Sequence, residues 1–410
     1  MNDQVMLSSA GLSVVDQNLT IDEYQTPSLL STNCSVSLQY RFLEHLVYIY
    51  FMFPLCLFGL VVNVINLIIF SDRSFKNLTF KYLRLIAFVD CITCTLVSIY
   101  CITSYTRPRT LNDKFFRIWY LVHVYFPLAN ITAACNVLLT LTVTIERLVS
   151  VRWPMSKQRL FSSNRVLLTL LICFLFPILA NSVNFLVYKV GDCHNLDLTI
   201  LATTKAYKYF GICKEILLRL IPICILIFSN CLLLSTVHLA NKKFQPKNKV
   251  ILQPPEISLQ TTNNGCDTKP INKYISESQS QTDTLLSISH DDSTLNGGQP
   301  RKSSSSNASK SKIHVRKQQQ ERQLTIMLVW ISTLYLCGQI PMLFAYPNFV
   351  FKDTSQPSYK YYALVVNLLE LITYLANFFI YIKFTTQFQQ VFRAKIKHLF
   401  ISYCCCGKSS

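Results

Sequence analysis

Seven separate stretches of this chain are each long and apolar enough to cross a lipid bilayer. Crossing as a helix takes roughly 20 apolar residues. The stretches lie at about 46–70, 80–104, 118–146, 165–188, 209–237, 324–347 and 361–383. The expected fold is therefore an all-α membrane protein, a seven-transmembrane-helix bundle. Composition agrees, because only 15% of residues are charged, against about 25% in a soluble domain. The net charge of +18 invites nucleic acid as a partner. Its basic residues are instead spread over the segments between apolar runs, so nucleic acid is excluded.

Seven crossings put the two ends of the chain on opposite sides, and loop charge decides which. The segments after spans 1, 3, 5 and 7 carry Arg73 and Lys76, Arg152 to Arg165, Lys242 to Lys249 with Arg316 to Arg322, and Lys383 to Lys397. The N-terminal segment has Arg41 against five acidic residues; the loop carrying Arg107, Arg109, Lys114 and Arg117 votes the other way. The sum places the N-terminus outside and the C-terminus in the cytoplasm of a multi-pass plasma-membrane protein. The N-terminus shows no basic start and no sustained apolar core, so no cleaved signal peptide is expected and export relies on the first span.

This topology sorts the remaining segments. Residues 1–44 form an extracellular tail, 45–241 hold spans 1–5 and 323–383 hold spans 6 and 7. The sequons at Asn18 and Asn33 face the glycosylating side; those at Asn77, Asn130 and Asn307 should stay bare. Residues 242–322 are Ser-, Gln- and Asn-rich with few aromatics, which predicts a disordered cytoplasmic loop, either a set of phosphorylation sites or a spacer. Residues 384–400 repeat apolar positions at helical spacing over a basic face, which predicts a short amphipathic helix on the membrane lipid. The tail 401–410 follows, and Cys404, Cys405 and Cys406 are lipidation candidates beside that helix. Most of the sixteen cysteines lie in apolar runs as small buried hydrophobes, and no pair of CxxC motifs suggests zinc. Cys34 and Cys193 fall in polar segments, with Cys101 and Cys213 near span ends.

Polar groups inside a membrane are costly, so each needs a partner. Span 1 carries Asn63, span 2 Asp90, span 3 Asn136 and span 7 Asn377. They form either one polar cluster around Asp90, completed by a cation or water, or four unrelated interhelical hydrogen bonds. Glu146-Arg147 stands at the cytoplasmic end of span 3 before Pro154; taken alone it reads as a snorkelling surface pair. Prolines at 54, 127, 177, 222 and 341 each free a backbone carbonyl and offer a kink.

In this order and spacing, these residues resemble the rhodopsin-like G-protein-coupled receptors. Gly59 with Asn63, Leu85-Ile-Ala-Phe-Val-Asp90, Glu146-Arg147-Leu with Pro154, Pro222, Pro341 and Asn377-Phe-Phe-Ile-Tyr381 are similar to the family's motifs. Phe378 replaces that family's last-helix proline, Gln339 a tryptophan, Asn230 a tyrosine and Leu148 a tyrosine. Gln339, Asn230 and the Asn-Phe-x-Ile-Tyr run are similar to invertebrate neuropeptide receptors of the FMRFamide type.

The resemblance implies a two-state bundle. An extracellular ligand shifts the population, Pro341 serves as a hinge, and Glu146, Arg147, Asn377 and Tyr381 pass the change to a heterotrimeric G protein. Arrestin and receptor kinases are further implied partners, and a sodium ion near Asp90 is the only implied metal. The family's cysteine near the outer end of helix 3 is Val122 here, so Cys193 lacks its usual partner and Cys101 or Cys34 stands as the alternative. Ala129 and Leu371 occupy the family's amine-binding and retinal-bearing positions, which argues against both ligands. The remaining pocket candidates are His123, Asn130, Arg219, Gln339 and Glu370, with Glu370 pairing either with a basic peptide or with Arg219. An environmental chemoreceptor on the same fold is the main alternative. A transporter or channel using Asp90, Arg219 and Glu370 is weaker, because no internal repeat is visible. An enzyme is not expected, because no metal-ligand spacing or nucleophile motif is present.

Overall fold

The computed structural model describes residues 42–106, 110–191, 196–244, 304–345 and 356–406, without the side chains of 240–244, 304–318, 357 and 399–406. Asn18, Asn33, Cys34, Cys193 and most of the 242–322 loop lie outside the described residues. So do the side chains of Cys404, Cys405 and Cys406. The chain divides into two units, residues 1–242 with 317–410 and residues 243–316. The first holds all seven membrane-spanning segments.

The spanning helices are α1 (Phe42–Phe70), α2 (Leu78–Tyr105), α3 (Leu111–Arg152), α4 (Ser163–Val187), α5 (Lys205–Leu239), α6 (Ser304–Phe344) and α7 (Pro357–Phe384). Helix α8 (Thr386–Cys406) follows α7 after a single-residue break. Helix α3 is 42 residues long, or about 63 Å at 1.5 Å per residue, twice the roughly 30 Å of a hydrocarbon core. Its apolar stretch was bounded by charged residues, but a helix continues past the membrane wherever caps and propensity allow. At its start Thr110 and Asp113 form a reciprocal capping box, with the Asp113 N–H on Thr110 Oγ1 at 3.1 Å and the Thr110 N–H on Asp113 Oδ2 at 3.0 Å. That satisfies two of the donors a helix start leaves open.

One boundary is corrected. The sequence predicted a disordered loop through residue 322, whereas α6 already begins at Ser304. Lys, Gln, Arg and Glu dominate residues 310–322, and these are good helix formers. The Ser-rich, charged composition hid that propensity.

Three prolines act on the backbone in one way. A π-helical turn precedes each: Leu46–Met52 before Pro54, Leu121–Tyr125 before Pro127, and Ile216–Leu220 before Pro222. Proline supplies no N–H to the carbonyl four residues back. A wider i→i+5 turn re-pairs the neighbouring groups, which hydrocarbon would otherwise leave unsatisfied.

Helices α3 and α7 are the most enclosed, with 67% of their apolar window buried, and α4 the least at 17%. The outward side of α4 exposes Leu167, Leu168, Leu171, Ile172 and Leu175, which is the surface lipid requires. Close approach of α1 to its neighbours depends on Gly59. A Cβ there would stand 3.0 Å from Cys94 Sγ on α2 and 3.3 Å from Leu375 Cδ1 on α7.

Between α4 and α5 an antiparallel hairpin pairs β1 (Tyr188–Val190) with β2 (Leu196–Leu198). Its Tyr188 and Leu196 join one buried apolar cluster with Val122, Tyr125 and Phe126 of α3, and the Tyr188 and Phe126 rings lie 5.3 Å apart. Val122 is fully buried. Apolar packing therefore binds the hairpin to α3 at the position where the resemblance implied a covalent bridge. Cys101 is buried and carries a free thiol, so it is not the partner of Cys193.

At the opposite end, α8 docks through Phe388, which is fully buried among Phe70, Phe378, Tyr381 and Phe392. Gln387 Nε2 donates to the Ser74 carbonyl at 2.7 Å. The surface helix thus runs past the expected 384–400 to Cys406.

Gly59→Leu should lower the stability of the detergent-purified chain by about 1–3 kcal/mol through overpacking, and Gly59→Ala by less, because only Cys94 Sγ must give way. Thermal unfolding of both variants checks this.

Candidate functional site

Three polar clusters sit at successive depths in the bundle, and the first closes the α8 end. Glu146 and Arg147, on the last turns of α3, are buried to 0% and 1% exposure, so the pair is not a snorkelling surface feature. Arg147 Nε lies 3.2 Å from Glu146 Oε2, and its Nη1 donates to Glu321 Oε2 of α6 at 2.8 Å. Arg147 Nη2 also donates to the Thr79 hydroxyl, and Thr79 Oγ1 donates to Glu146 Oε2 at 2.7 Å. Lys157 Nζ and Ser150 Oγ reach Glu146 Oε1 at 2.9 and 3.0 Å. The guanidinium thereby ties α3 to both α2 and α6. Tyr381 is elsewhere, buried against Phe70 at 5.0 Å between ring centres.

The second cluster lies at mid-depth. Asn136 Nδ2 donates to Asp90 Oδ1 at 2.8 Å, and Asn377 Nδ2 to Asp90 Oδ2 at 3.5 Å. Asn63 does not join them. It donates to the carbonyls of Gly59 at 3.0 Å and Tyr374 at 3.4 Å, while Asn66 donates to Asn63 Oδ1 at 3.2 Å. The structure therefore takes a form between the two expected ones: a three-residue cluster on Asp90 and a separate clasp of α1 on α7. Asn136 Oδ1 is buried without a donor. Beside the Asp90 carboxylate this makes a fitting place for a monovalent cation or a water.

The third cluster is in the half nearer the hairpin. Gln339 Nε2 and the Tyr374 hydroxyl both donate to Glu370 Oε1 at 2.9 Å. Gly338 makes that reach short, since a Cβ there would fall 2.8 Å from Thr373 Cγ2 of α7. Arg219 does not pair with Glu370; it faces Glu215 at 3.3 Å, one turn away on α5. Lys214 shares the same carboxylate at 3.7 Å and donates to Asn181 Oδ1 of α4 at 3.2 Å. The remaining ligand candidates stay apart from this cluster. Asn130 Nδ2 donates to its own helix at the Phe126 carbonyl, 2.8 Å away, and half-buried His123 lies 5.8 Å from the Trp119 ring. Pro341 accepts a 2.7 Å hydrogen bond from the Tyr362 hydroxyl at its carbonyl.

Several participants were not singled out in the sequence. Lys214 and Glu215 lie inside an apolar window, and the cost of charge in a membrane marks such residues by itself. Glu321 sat in a segment assigned to a loop. Thr79 and Asn66 carry no local signal, because only the packing of α2 on α3 and of α1 on itself gives them partners.

The cluster of one carboxylate and two cations makes a sharp prediction about stability. Glu215→Gln strands Lys214 and Arg219 and should cost about 3–5 kcal/mol. Lys214→Met leaves Arg219 on Glu215 and should be close to neutral. Thermal unfolding of the two variants in the same detergent distinguishes them.

Residues 62–381 match the family described as 7 transmembrane receptor (rhodopsin family). A probable G-protein-coupled receptor of Caenorhabditis elegans is 22% identical over 213 residues, 49% of each chain. The FMRFamide receptor of Drosophila melanogaster is 25% identical over 203 residues, 46% of this chain and 37% of that one. The chain thus matches half or less of the length of these relatives. The family match covers most of the chain and all seven spans in part or whole, and the family is one of receptors rather than enzymes. This multi-pass membrane protein belongs to the rhodopsin family of seven-transmembrane receptors.

Proposed function

We propose that this receptor sits in the plasma membrane with its hairpin face outside, binds an extracellular neuropeptide there and activates a heterotrimeric G protein at its α8 face. The observation that carries the reading is the Arg147–Glu321 ion pair at 2.8 Å, which holds α6 against α3 in a closed arrangement. Loop charge supports the orientation. The similarity to the FMRFamide receptor of Drosophila melanogaster and the absence of a carboxylate at Ala129 support a peptide ligand.

A ligand shifts a two-state bundle only by its difference in affinity for the two states. Gln339 of α6, two residues before Pro341, is latched to Glu370 of α7 at 2.9 Å. A ligand that draws on Glu370 or Gln339 competes with that latch. Release lets α6 hinge at Pro341 and carries Glu321 away from Arg147, and Arg147 then faces the G protein. By linkage a bound G protein raises agonist affinity by the same factor. Asp90 and Asn136 Oδ1 would hold a sodium ion, which would supply charge compensation at mid-depth.

Glu321 is half exposed, so its pair with Arg147 is discounted for screening to about 1 kcal/mol. Glu321→Gln should therefore raise ligand-free G-protein activation about fivefold. Arg147→Ala should abolish signalling with surface expression largely retained; normal activation by that variant would refute the role assigned to Arg147. A panel of amidated invertebrate peptides, applied to cells expressing the chain with calcium and cAMP readouts, tests the ligand class. If no peptide gives a response in cells where Glu321→Gln raises basal signalling, the peptide reading fails while the receptor reading stands.

A further inference from the structure

The described residues enclose a small cavity between α1, α2, α3 and α7, lined by Met52, Thr93, Ala129, Ala133, Asn367 and Glu370 among others, with a volume of about 30 Å³. Its chemistry is lopsided. Both hydrogen bonds to the Glu370 carboxylate, from Gln339 and Tyr374, end on Oε1, and Oε2 receives none. Asn367 on α7 is 3% exposed; its Nδ2 donates to the Tyr48 hydroxyl at 3.1 Å, which turns its Oδ1 away from any donor. Thr93 donates its hydroxyl proton to the Val89 carbonyl at 3.0 Å, so its oxygen offers only lone pairs. Acceptors thus line the cavity from α2 and α7, and no basic side chain lines it.

The neighbouring cations do not fill this need. Arg219 lies against Glu215 at 3.3 Å, and Lys214 is shared between Glu215 and Asn181. An anionic oxygen among apolar walls attracts a cation far more strongly than it would in water. Size then selects which one. A water needs about 10–15 Å³ of such space, so the cavity accepts one or two groups of that size. A sodium ion or an ammonium head fits, and a planar guanidinium does not.

We infer that Glu370, Asn367 and Thr93 form a subsite for one small monovalent cationic group, either the ammonium end of the ligand or a free metal ion. The charge comes from α7 while α3 contributes only the small walls Ala129 and Ala133. An amine that lacks a partner on α3 is therefore received from the opposite side of the same cavity. The ammonium source rests on the receptor reading above; the metal-ion source does not.

The experiment uses the full chain in lipid nanodiscs and follows thermal unfolding at constant ionic strength. N-methyl-D-glucamine chloride is replaced by sodium, methylammonium or guanidinium chloride. Sodium or methylammonium should raise the Tm of the wild type and of Asp90→Asn by about 2 °C or more, as binding to the folded state requires. Glu370→Gln should lose the shift, and so should Ala133→Leu, which fills the cavity and leaves its charges untouched. The double variant A129D/E370Q should regain it, by supplying the carboxylate from α3.

A larger shift with methylammonium assigns the subsite to a ligand's ammonium, and a larger shift with sodium assigns it to a metal ion. No shift in the wild type overturns the inference, as does a shift that survives Glu370→Gln or a guanidinium shift equal to the methylammonium one. Nucleotide exchange on a G protein, measured on the same samples, tests the receptor reading separately. Its failure alongside an intact cation response would sink that reading and leave the metal-ion form of the subsite standing.

Discussion

Hydrocarbon offers no hydrogen bonds, and most of this structure follows from that lack. Each backbone N–H and carbonyl inside the membrane must be paired within the protein, so every crossing is a helix. The same demand shapes the irregularities. Prolines at 54, 127 and 222 each remove a donor, and each is preceded by a π-helical turn that re-pairs the backbone around the gap. These turns fall in the halves of α1, α3 and α5 nearer the hairpin, where they rotate the following residues relative to a regular helix and so help decide which side chains face inward.

Side chains obey the same constraint with more freedom, and there the bundle acquires its working parts. An ionised group in the interior survives only with partners, so Arg147, Asp90, Glu215 and Glu370 each gather a cluster. Breaking such a pair on one side costs more than never having it. That asymmetry makes the clusters suitable as switches, since each joins two or more helices and has a discrete alternative when a competitor arrives. Gln339 and Glu321 both lie on α6, so the latch near the hairpin and the ion pair near α8 are two ends of one rigid element.

Where covalent chemistry is missing, packing replaces it. Val122 stands where a cysteine was implied, and the hairpin is held to α3 by Tyr188, Leu196 and Phe126 instead. Similarly, α8 is fixed by Phe388 within an aromatic nest rather than by any charged contact on its inner side. Both attachments rest on large apolar side chains, whose burial is favourable wherever water is the alternative environment.

The number of crossings, their approximate limits, the basic character of one set of loops and the family resemblance were all legible in the sequence, because hydropathy and motif spacing are local properties. The acid–base pair at 146 and 147 and the amides at 136 and 377 were legible as candidates. Their partners were not. Thr79, Lys157 and Glu321 around Arg147, Gln339 on Glu370, and Glu215 in place of Glu370 on Arg219 depend on which turn of one helix meets which turn of another. That register is decided by close approaches such as Gly59 and Gly338 and by the length of α6, which composition had disguised as loop. Sequence by itself determined that polar groups would be buried in the bundle. Only the tertiary structure decided how they pair, because a helix presents every residue to some neighbour and packing alone selects which.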